Sequence, residues 1–250
     1  MAEPVLQITD LRKSFGGLVV TDGVTLDIGA GEMHAVIGPN GAGKTTLINQ
    51  ISGLLAPNDG AIVFNGVNIT ALTSNKRAEL GLARSFQITS VLPNFSALEN
   101  VALAVQARAG SSYRFAGVAA REATLNDPAL AALDEVGLSA RAGVLAAHLS
   151  HGEKRALELA IALAMQPKLL LLDEPMAGTG HEETARLVAV LQRLKGRFSM
   201  LLVEHDMNAV FALADRVSVL TYGRILASGA PAAVRADPAV VTAYLGDELE

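Results

Sequence analysis

The sequence predicts an α/β fold in which buried strands alternate with helices, and three segments support this prediction. Residues 33–38 read MHAVIG, a short apolar run that leads into the glycine-rich loop GPNGAGKTT at 38–46 and then into a helix-forming stretch. Residues 168–175 read KLLLLDEP, a continuous apolar run typical of a strand that a parallel sheet buries on both faces. A similar run, SMLLVEHD at 199–206, follows the helical pattern EETARLVAVLQRLKG at 182–196.

The remaining segments add an antiparallel part and a helical part. Residues 6–15 and 24–32 alternate apolar and polar side chains, which is typical of antiparallel strands with one face in water. The character changes at about residue 88, where a proline-containing loop precedes the capping box of Ser96 and Glu99 and further helical segments. We therefore predict a single domain over 1–250, with a core of about 1–87 and 153–250 and a helical insertion of about 88–152.

The composition argues against several classes of function. The net charge is −5, whereas nucleic acids and anionic membranes attract basic surfaces, so we expect no nucleic-acid partner. There is no cysteine, which excludes disulfides and thiolate metal sites. The sequence contains neither a signal peptide nor an apolar run of the roughly 18 residues that a membrane-spanning helix needs. We expect a cytosolic protein that would act at a membrane only as a peripheral partner.

The loop at 38–46 matches the complete phosphate-loop pattern. Glycines let backbone N–H groups close around phosphate oxygens, Lys44 reaches the β- and γ-phosphates, and the Thr45 hydroxyl ligates Mg²⁺. A glycine-rich turn that happens to precede a lysine is the alternative, but the strand before the loop and the helix after it favour nucleotide binding. The candidate ATP-binding residues of the loop are Gly38, Pro39, Asn40, Gly41, Ala42, Gly43, Lys44, Thr45 and Thr46.

Two acidic residues end the buried run KLLLLDEP. Beside a phosphate loop, Asp173 could hold Mg²⁺ through water, and Glu174 could polarise the attacking water as general base. A simple pair of acids at the end of a strand is the alternative. We count Lys44 with Glu174 among the candidate catalytic residues.

Three further side chains are candidates for the same site. Gln87, in RSFQITS, could contact Mg²⁺ or the attacking water, although a polar loop residue is the alternative. His205 ends the run SMLLVEHD and could donate a hydrogen bond to the γ-phosphate, although a lone histidine at a strand end is often structural. Phe15, in KSFGG, could stack on adenine or could be a core aromatic residue.

The segment LSHGEKRALELA at 149–160 combines two signals. Ser150 with Glu153 forms a second capping box, which satisfies the N–H groups at a helix start. The same helix start, with Gly152, is also suited to bind an anion because of its positive end.

Over essentially its whole length, the chain resembles the nucleotide-binding subunit of ABC transporters. The resemblance rests on five features in this order along the chain: GPNGAGKTT, Gln87, LSHGE, LLLLDE and His205. The resemblance implies a P-loop NTPase (RecA-like) core with an antiparallel β subdomain and an inserted α-helical subdomain, and ATP and Mg²⁺ as cofactors. It also implies a head-to-tail pair of subunits, in which each ATP lies between the phosphate loop of one copy and the helix start of the other. The residues of that second contact, here called the signature segment, are Ser150, His151, Gly152 and Glu153.

The chain departs from the family pattern at three positions. His151 stands where the family usually has glycine, and Glu153 stands where it usually has glutamine. In the loop after the two acids, Gly180 lies near the point where an aspartate or asparagine is expected, which concerns communication between the two ATP sites.

Several longer segments are similar to the ATP subunits of bacterial branched-chain amino-acid importers and of urea and amide importers. One of them is LSHGEKRALELAIALAMQPKLLLLDEPMAG. The resemblance implies a homodimer or a heterodimer with a second ABC ATPase, membrane-spanning permease subunits, and indirectly a solute-binding protein. It places the chain peripherally at the cytoplasmic face of the inner membrane. Leu92, Pro93 and Phe95 would receive the permease, unless they pack into the insertion's own core. A soluble ABC ATPase acting on nucleic acid or ribosomes, and a module that binds ATP without turnover, are the alternatives from other classes.

Overall fold

The computed structural model describes residues 3–85, 91–109 and 123–245 and divides the chain into two compact units. The first unit comprises Met1–Leu82, Lys168–Glu174 and Leu194–Glu250. The second unit comprises Ala83–Pro167 and Pro175–Arg193.

The regular elements alternate along the described residues. The strands are β1 (Leu6–Phe15), β2 (Leu18–Ile28), β3 (Met33–Ile37), β4 (Asp59–Phe64), β5 (Val67–Asn68), β6 (Leu82–Ser85), β7 (Leu169–Asp173), β8 (Ser199–Val203), β9 (Arg216–Thr221) and β10 (Arg224–Gly229). The helices are α1 (Lys44–Ser52), α2 (Ser74–Glu79), α3 (Ala97–Arg108), α4 (Ala123–Glu135), α5 (His151–Ala164), α6 (His181–Leu194), α7 (Met207–Leu213), α8 (Pro231–Arg235) and α9 (Pro238–Val240). Single turns of other helix types lie at Ser139–Arg141, Ala146–His148 and Val241–Leu245.

The strands form two sheets. The first has the order β2-β1-β4-β5 and is antiparallel, and β1 buries Leu6, Ile8 and Leu11 on one face while leaving polar neighbours exposed. The second has the order β10-β9-β3-β8-β7-β6, with β3 parallel to both β8 and β9, and β7 parallel to β8. Every residue of β3, β7 and β8 is buried, as the continuous apolar runs predicted.

Helix α1 lies at the centre of the first unit. Its residues Leu47, Ile48 and Ile51 belong to one buried cluster with side chains of both sheets, including Phe64 of β4 and Leu171 of β7. This packing fixes the axis of α1, and therefore also the position of the loop that precedes it.

A buried arginine secures the far end of α1. Arg77 is 1% exposed and donates from Nη1 to the carbonyl oxygens of Gln50 and Ile51, at 2.7 Å each. These carbonyls belong to the last turn of α1, where the C-cap Gly53 N–H reaches the Gln50 carbonyl at 3.3 Å and Arg77 adds a shorter bond. Gly53 then ends the helix in the left-handed conformation, with a φ of 79°.

The second unit is helical, and α3, α4 and α5 pack on one another. Both predicted capping boxes are present. The Ser96 Oγ accepts from the Glu99 N–H, and the Glu99 carboxylate accepts from the Ser96 N–H, which lowers the pKa of Glu99. Ser150 and Glu153 make the same reciprocal pair at the start of α5.

The elements differ from the sequence prediction in three places. The segment SNKRAELGLA at 74–83 has a helical sequence pattern throughout, but α2 ends at Glu79 because Gly81 takes a φ of 103° and β6 begins at Leu82. Strand β2 begins at Leu18, six residues before the predicted 24–32 segment. Helix α7 was not predicted, since it has only seven residues and its N-cap, Asp206, stands in the segment assigned to a strand.

His34 of β3 is a buried histidine in a polar network of the first unit. Its Nε2 lies 2.7 Å from the Ser218 Oγ, and its Nδ1 lies 3.2 Å from the Asp27 carbonyl oxygen. Burial and, to a smaller extent, the Arg216 charge lower the pKa of His34 to about 4, although Glu32 opposes the shift. The folded protein therefore binds fewer protons at His34 than the unfolded chain does between about pH 4 and the ordinary histidine pKa of about 6.5.

We predict that stability falls as the pH is lowered through this window, because protonating His34 favours the unfolded chain. A pKa shift of this size corresponds to about 3 kcal/mol in total. Thermal unfolding of the protein and of His34→Asn, followed between pH 7 and 4.5, measures the effect. The variant should be less stable at pH 7 but should lose less stability on acidification; equal losses would contradict the assignment.

Candidate functional site

The glycine-rich loop between β3 and α1 fits closely against neighbouring backbone. A Cβ at Gly43 would lie 2.6 Å from the Val20 carbonyl oxygen, and a Cβ at Gly38 would overlap the Leu220 carbonyl oxygen. Gly43 also has a φ of 105°, which side-chain-bearing residues rarely adopt. On the other side, the Gly223 N–H donates to the Ala42 carbonyl at 3.0 Å. The loop is therefore held by β2 and by the β9–β10 turn.

The helix start that follows this loop has no side-chain cap. Gly43 is the N-cap of α1, and the first-turn N–H groups of Lys44, Thr45 and Thr46 have no acceptor within the helix. These donors and the positive helix end together favour an anion such as a phosphate. Asn40, Gly41 and Thr45 are exposed, so a ligand can reach the loop from outside.

Lys44 connects the loop to the end of β7. The lysine is 7% exposed, and its Nζ donates to the carbonyl oxygens of Gly38 at 2.5 Å and Pro39 at 3.0 Å. Burial lowers the pKa of Lys44, while the negative charges of Glu174 and Asp173 raise it. The structure thus brings one ammonium group and two carboxylates, all three predicted site residues, within electrostatic range of one another.

The two acids occupy different surroundings. Asp173 is the last residue of β7 and is 1% exposed. Glu174 is half-buried and has a left-handed backbone with a φ of 47°, and its N–H donates to the Val203 carbonyl of β8 at 2.8 Å. Such a backbone costs a non-glycine residue on the order of 1 kcal/mol and is typical of functional positions. The neighbouring strand therefore holds Glu174 in a defined direction.

His205 follows β8, and its side chain is 63% exposed. The buried carboxylate of Glu204 accepts from the N–H groups of His205 at 2.8 Å and Asp206 at 3.4 Å, and it lies 3.6 Å from the His205 Nδ1. Glu204 was not among the site residues predicted from the sequence. Its signal was a charged residue placed directly after a fully buried strand.

Phe15 is 51% exposed at the end of β1, which excludes the alternative of a core residue. The Lys13 Nζ lies 5.5 Å from the centroid of its ring. The open aromatic surface is available for stacking.

The signature segment begins α5 in the second unit. Besides the capping box, the Glu153 Oε1 lies 2.9 Å from the Arg141 Nε, and Glu183 of α6 approaches the same helix start. The His151 ring lies beside Gly178, whose Cβ would be 3.4 Å from the Nε2. Gln87, the remaining predicted site residue, lies outside the described residues.

The donor set of the first unit fits Mg²⁺. Helix α1, which carries the exposed Thr45 hydroxyl near its start, packs against β7, which ends in the Asp173 carboxylate. Hydroxyl and carboxylate oxygens are the hard ligands that Mg²⁺ prefers, commonly one or two of them beside substrate phosphates. Among the described residues there is no group of three or more histidine, cysteine or acidic side chains that could enclose a metal by itself.

Comparison with known proteins decides the family. A model described as ABC transporter matches residues 21–177. The chain belongs to the ABC transporter family. A second model, described as Branched-chain amino acid ATP-binding cassette transporter, matches residues 224–250. Of the helices in the described ranges, none combines the length and hydropathy needed to cross a membrane.

Individual relatives cover nearly the entire chain. The high-affinity branched-chain amino acid transport ATP-binding protein BraF of Pseudomonas aeruginosa is 35% identical over 99% of this chain and 100% of its own length. LivG of Escherichia coli K12, with the same description, is also 35% identical over 99% of this chain and 100% of its own length. A crystal structure of the ADP conformation of MJ1267, an ATP-binding cassette of an ABC transporter, is 28% identical with a TM-score of 0.86, covering 98% of this chain and all of that one.

These findings confirm the predicted family, the P-loop NTPase fold and the ATPase activity. This ABC transporter subunit binds and hydrolyses ATP, and its phosphate loop lies within the matched residues.

We predict that Lys44→Ala weakens ATP binding at least about tenfold. A hydrogen bond to a charged group contributes roughly 1.5–3 kcal/mol, and about 1.4 kcal/mol is a factor of ten. Calorimetric titration with ATP measures the change. Lys76→Ala on α2 removes the same charge from an exposed position and should leave affinity unchanged; equal affinity of both variants would contradict the role of Lys44.

Proposed function

We propose that this chain is the energy-coupling ATPase subunit of an importer for branched-chain amino acids. One observation carries the choice of solute: residues 224–250 match a model specific to branched-chain amino-acid cassettes, beyond the part that matches ABC transporters in general. BraF and LivG, both described as branched-chain amino acid transport ATP-binding proteins and both matched over their full length, support the same solute. A urea, amide or other solute transporter is the alternative that the experiment below distinguishes.

We propose that ATP binds along the loop at 38–46, with adenine stacked on Phe15. The uncapped N–H groups at the start of α1 and the Lys44 ammonium would hold the phosphates. Thr45 and Asp173 would hold Mg²⁺, with Gln87 as a further ligand. When bound, Mg²⁺ neutralises charge on the phosphates.

In the proposed hydrolysis Glu174 accepts a proton from the attacking water, and His205 donates a hydrogen bond to the γ-phosphate. The strained backbone of Glu174 and the Glu204 carboxylate behind His205 support this proposal, because each would fix a side chain in one direction. We propose that the catalytic residues act within one ATPase domain, with a core of about 1–87 and 153–250 and a helical insertion of about 88–152.

The signature segment would complete the site of a second ATPase subunit, either another copy of this chain or a related protein. Ser150 and Gly152 would then bind the γ-phosphate held by the partner's loop, and His151 and Glu153 would complete the signature segment. The dimer would bind permease subunits at the cytoplasmic face of the membrane, and a solute-binding protein would deliver the solute. Closure with ATP and opening after hydrolysis would drive transport.

The test is a pull-down of tagged Glu174→Gln protein with Mg·ATP from detergent-solubilised native membranes, with partners identified by mass spectrometry. We expect membrane-spanning subunits and an ATPase partner, after which the associated solute-binding protein is titrated with leucine, isoleucine, valine and urea. Recovery of only soluble partners or ribosomes would overturn the transport assignment. Binding of urea alone would overturn the choice of solute.

We predict that Glu174→Gln lowers steady-state ATP hydrolysis by at least about 100-fold, because a positioned general base contributes roughly 10²–10⁴-fold. ATP affinity should be retained, because the amide keeps the shape of the carboxylate. Glu182→Gln, whose side chain is 90% exposed, is the matched control and should hydrolyse normally. Unimpaired hydrolysis by Glu174→Gln would contradict the proposed role.

The permease would dock beside the start of α3. Leu92 and Phe95 are 43% and 41% exposed, whereas their backbone is tied down: Leu92 N–H donates to the Asn100 Oδ1 at 2.8 Å, and Ala146 N–H donates to the Phe95 carbonyl at 2.8 Å. Pro93 between them is also exposed. Apolar side chains that point outward from a fixed loop are better suited to bind a protein partner than to pack into the core of their own unit.

Phe95→Asp should therefore abolish co-purification with the membrane subunits while leaving ATP binding intact. Leu103→Asp places the same charge on α3 at a side chain of equal exposure, 41%, and should co-purify normally. If Phe95→Asp still co-purifies, docking at this loop is wrong.

A further inference from the structure

The starts of α1 and α5 are both suited to anions, and they differ in what covers them. The start of α1 has a glycine N-cap with no side-chain bond. The start of α5 is covered by side chains of its own unit, namely the Ser150–Glu153 capping box and a carboxylate that arrives from α6.

That carboxylate belongs to Glu183. The Glu183 Oε1 accepts from the Gly152 N–H at 3.3 Å and from the Ser150 Oγ at 3.5 Å. A Cβ at Gly152 would lie 2.5 Å from both the Cδ and the Oε1 of Glu183. Glycine at this position therefore allows an anion to approach the helix start closely, and in this structure the anion is Glu183.

Glu183 also lies in the first turn of its own helix, α6. A carboxylate there interacts favourably with the positive end of α6 as well as with that of α5. Glu182, its neighbour, is directed elsewhere: its side chain is 90% exposed and pairs with Arg186 at 3.4 Å. The contact with α5 is thus specific to one of two adjacent glutamates.

We propose that Glu183 is an internal competitor of the partner's ATP, occupying the anion position at the start of α5 until the γ-phosphate displaces it. The inference rests on the proposed function, in which Ser150 and Gly152 bind that phosphate. Carboxylate and phosphate oxygens accept from the same N–H and O–H donors, and two anions on one pair of donors repel each other. The contact therefore raises the ATP concentration needed to close the dimer.

The surroundings explain why Glu183, and not Glu153, is the displaceable anion. Glu153 is held at both oxygens, by the Ser150 N–H at 2.8 Å and by Arg141 at 2.9 Å. The Glu183 bonds at 3.3 Å and 3.5 Å are at the long end of the hydrogen-bond range and are correspondingly weak. Arg141 and Arg186 line the same cavity as Glu183, so a displaced carboxylate finds guanidinium groups nearby.

Glu183→Gln and Glu183→Ala, each in the Glu174→Gln background, test the proposal. Sedimentation velocity measures the ATP concentration that gives half-maximal pairing. The partner is the ATPase that the pull-down recovers, which can be a second copy of this chain. Both variants should pair at an ATP concentration about threefold to tenfold lower, because removing the carboxylate leaves the donors at the start of α5 open to the γ-phosphate. Glu182→Gln in the same background should pair like its parent.

An unchanged or higher ATP concentration for both Glu183 variants, with the parent pairing normally, would overturn the inference while leaving the signature segment in its proposed role. Failure of the parent to pair with any ATPase would overturn the proposed role and the inference together. A second readout needs no partner: hydrogen exchange of the Gly152 amide should be faster in Glu183→Ala than in Glu182→Ala. Equal exchange in the two variants would show that the contact is absent and would also overturn the inference.

Discussion

The close fit of the phosphate loop against backbone carbonyls is the constraint on which the first unit depends. Gly38 and Gly43 pass so near to Leu220 and Val20 that no side chain fits, and Gly223 adds a hydrogen bond from the other side. Because the loop cannot shift toward these strands, the N–H groups at the start of α1 stay directed at one point. Burial of α1 between the two sheets and the Arg77 bonds at its far end keep the helix itself from moving. The loop is thus preorganised to bind phosphate before the ligand arrives.

The chemistry is arranged along the carboxyl ends of adjacent parallel strands. β3 ends at the phosphate loop, β7 ends at Asp173 and Glu174, and β8 leads into His205. The Glu174 backbone is left-handed, and its N–H donates to the Val203 carbonyl, which fixes the direction in which the chain leaves β7. The start of α5 in the second unit differs from that of α1, because the carboxylates of Glu153 and Glu183 already accept hydrogen bonds there. The start of α1 thus leaves its N–H groups open, whereas the start of α5 is covered by carboxylates of its own unit, which in the proposed dimer the partner's phosphate would displace.

Local patterns predicted most of the fold. The strand, loop and helix from β3 to α1, the buried run of β7, and both capping boxes depend on residues close in sequence, and all are present. Contacts between distant residues were not predictable. Glu183 meets Gly152 across 31 positions, and no periodicity marks that pairing. The left-handed backbone of Glu174 was missed because it depends on the Val203 carbonyl of a neighbouring strand. Glu204 was missed although a charged residue directly after a buried strand marked it. Helix α7 was too short for its pattern to be seen.

The central claim is that the prepared phosphate loop, more than the aromatic surface of Phe15, supplies the affinity for nucleotide. Calorimetric titration of the purified chain with AMP, ADP and ATP in the presence of Mg²⁺ tests this most directly. ADP should bind at least about a hundredfold more tightly than AMP, because the β-phosphate gains several charge-assisted hydrogen bonds of roughly 1.5–3 kcal/mol each. If AMP binds as tightly as ADP, adenine stacking and not the phosphate loop supplies most of the affinity, which would contradict the claim.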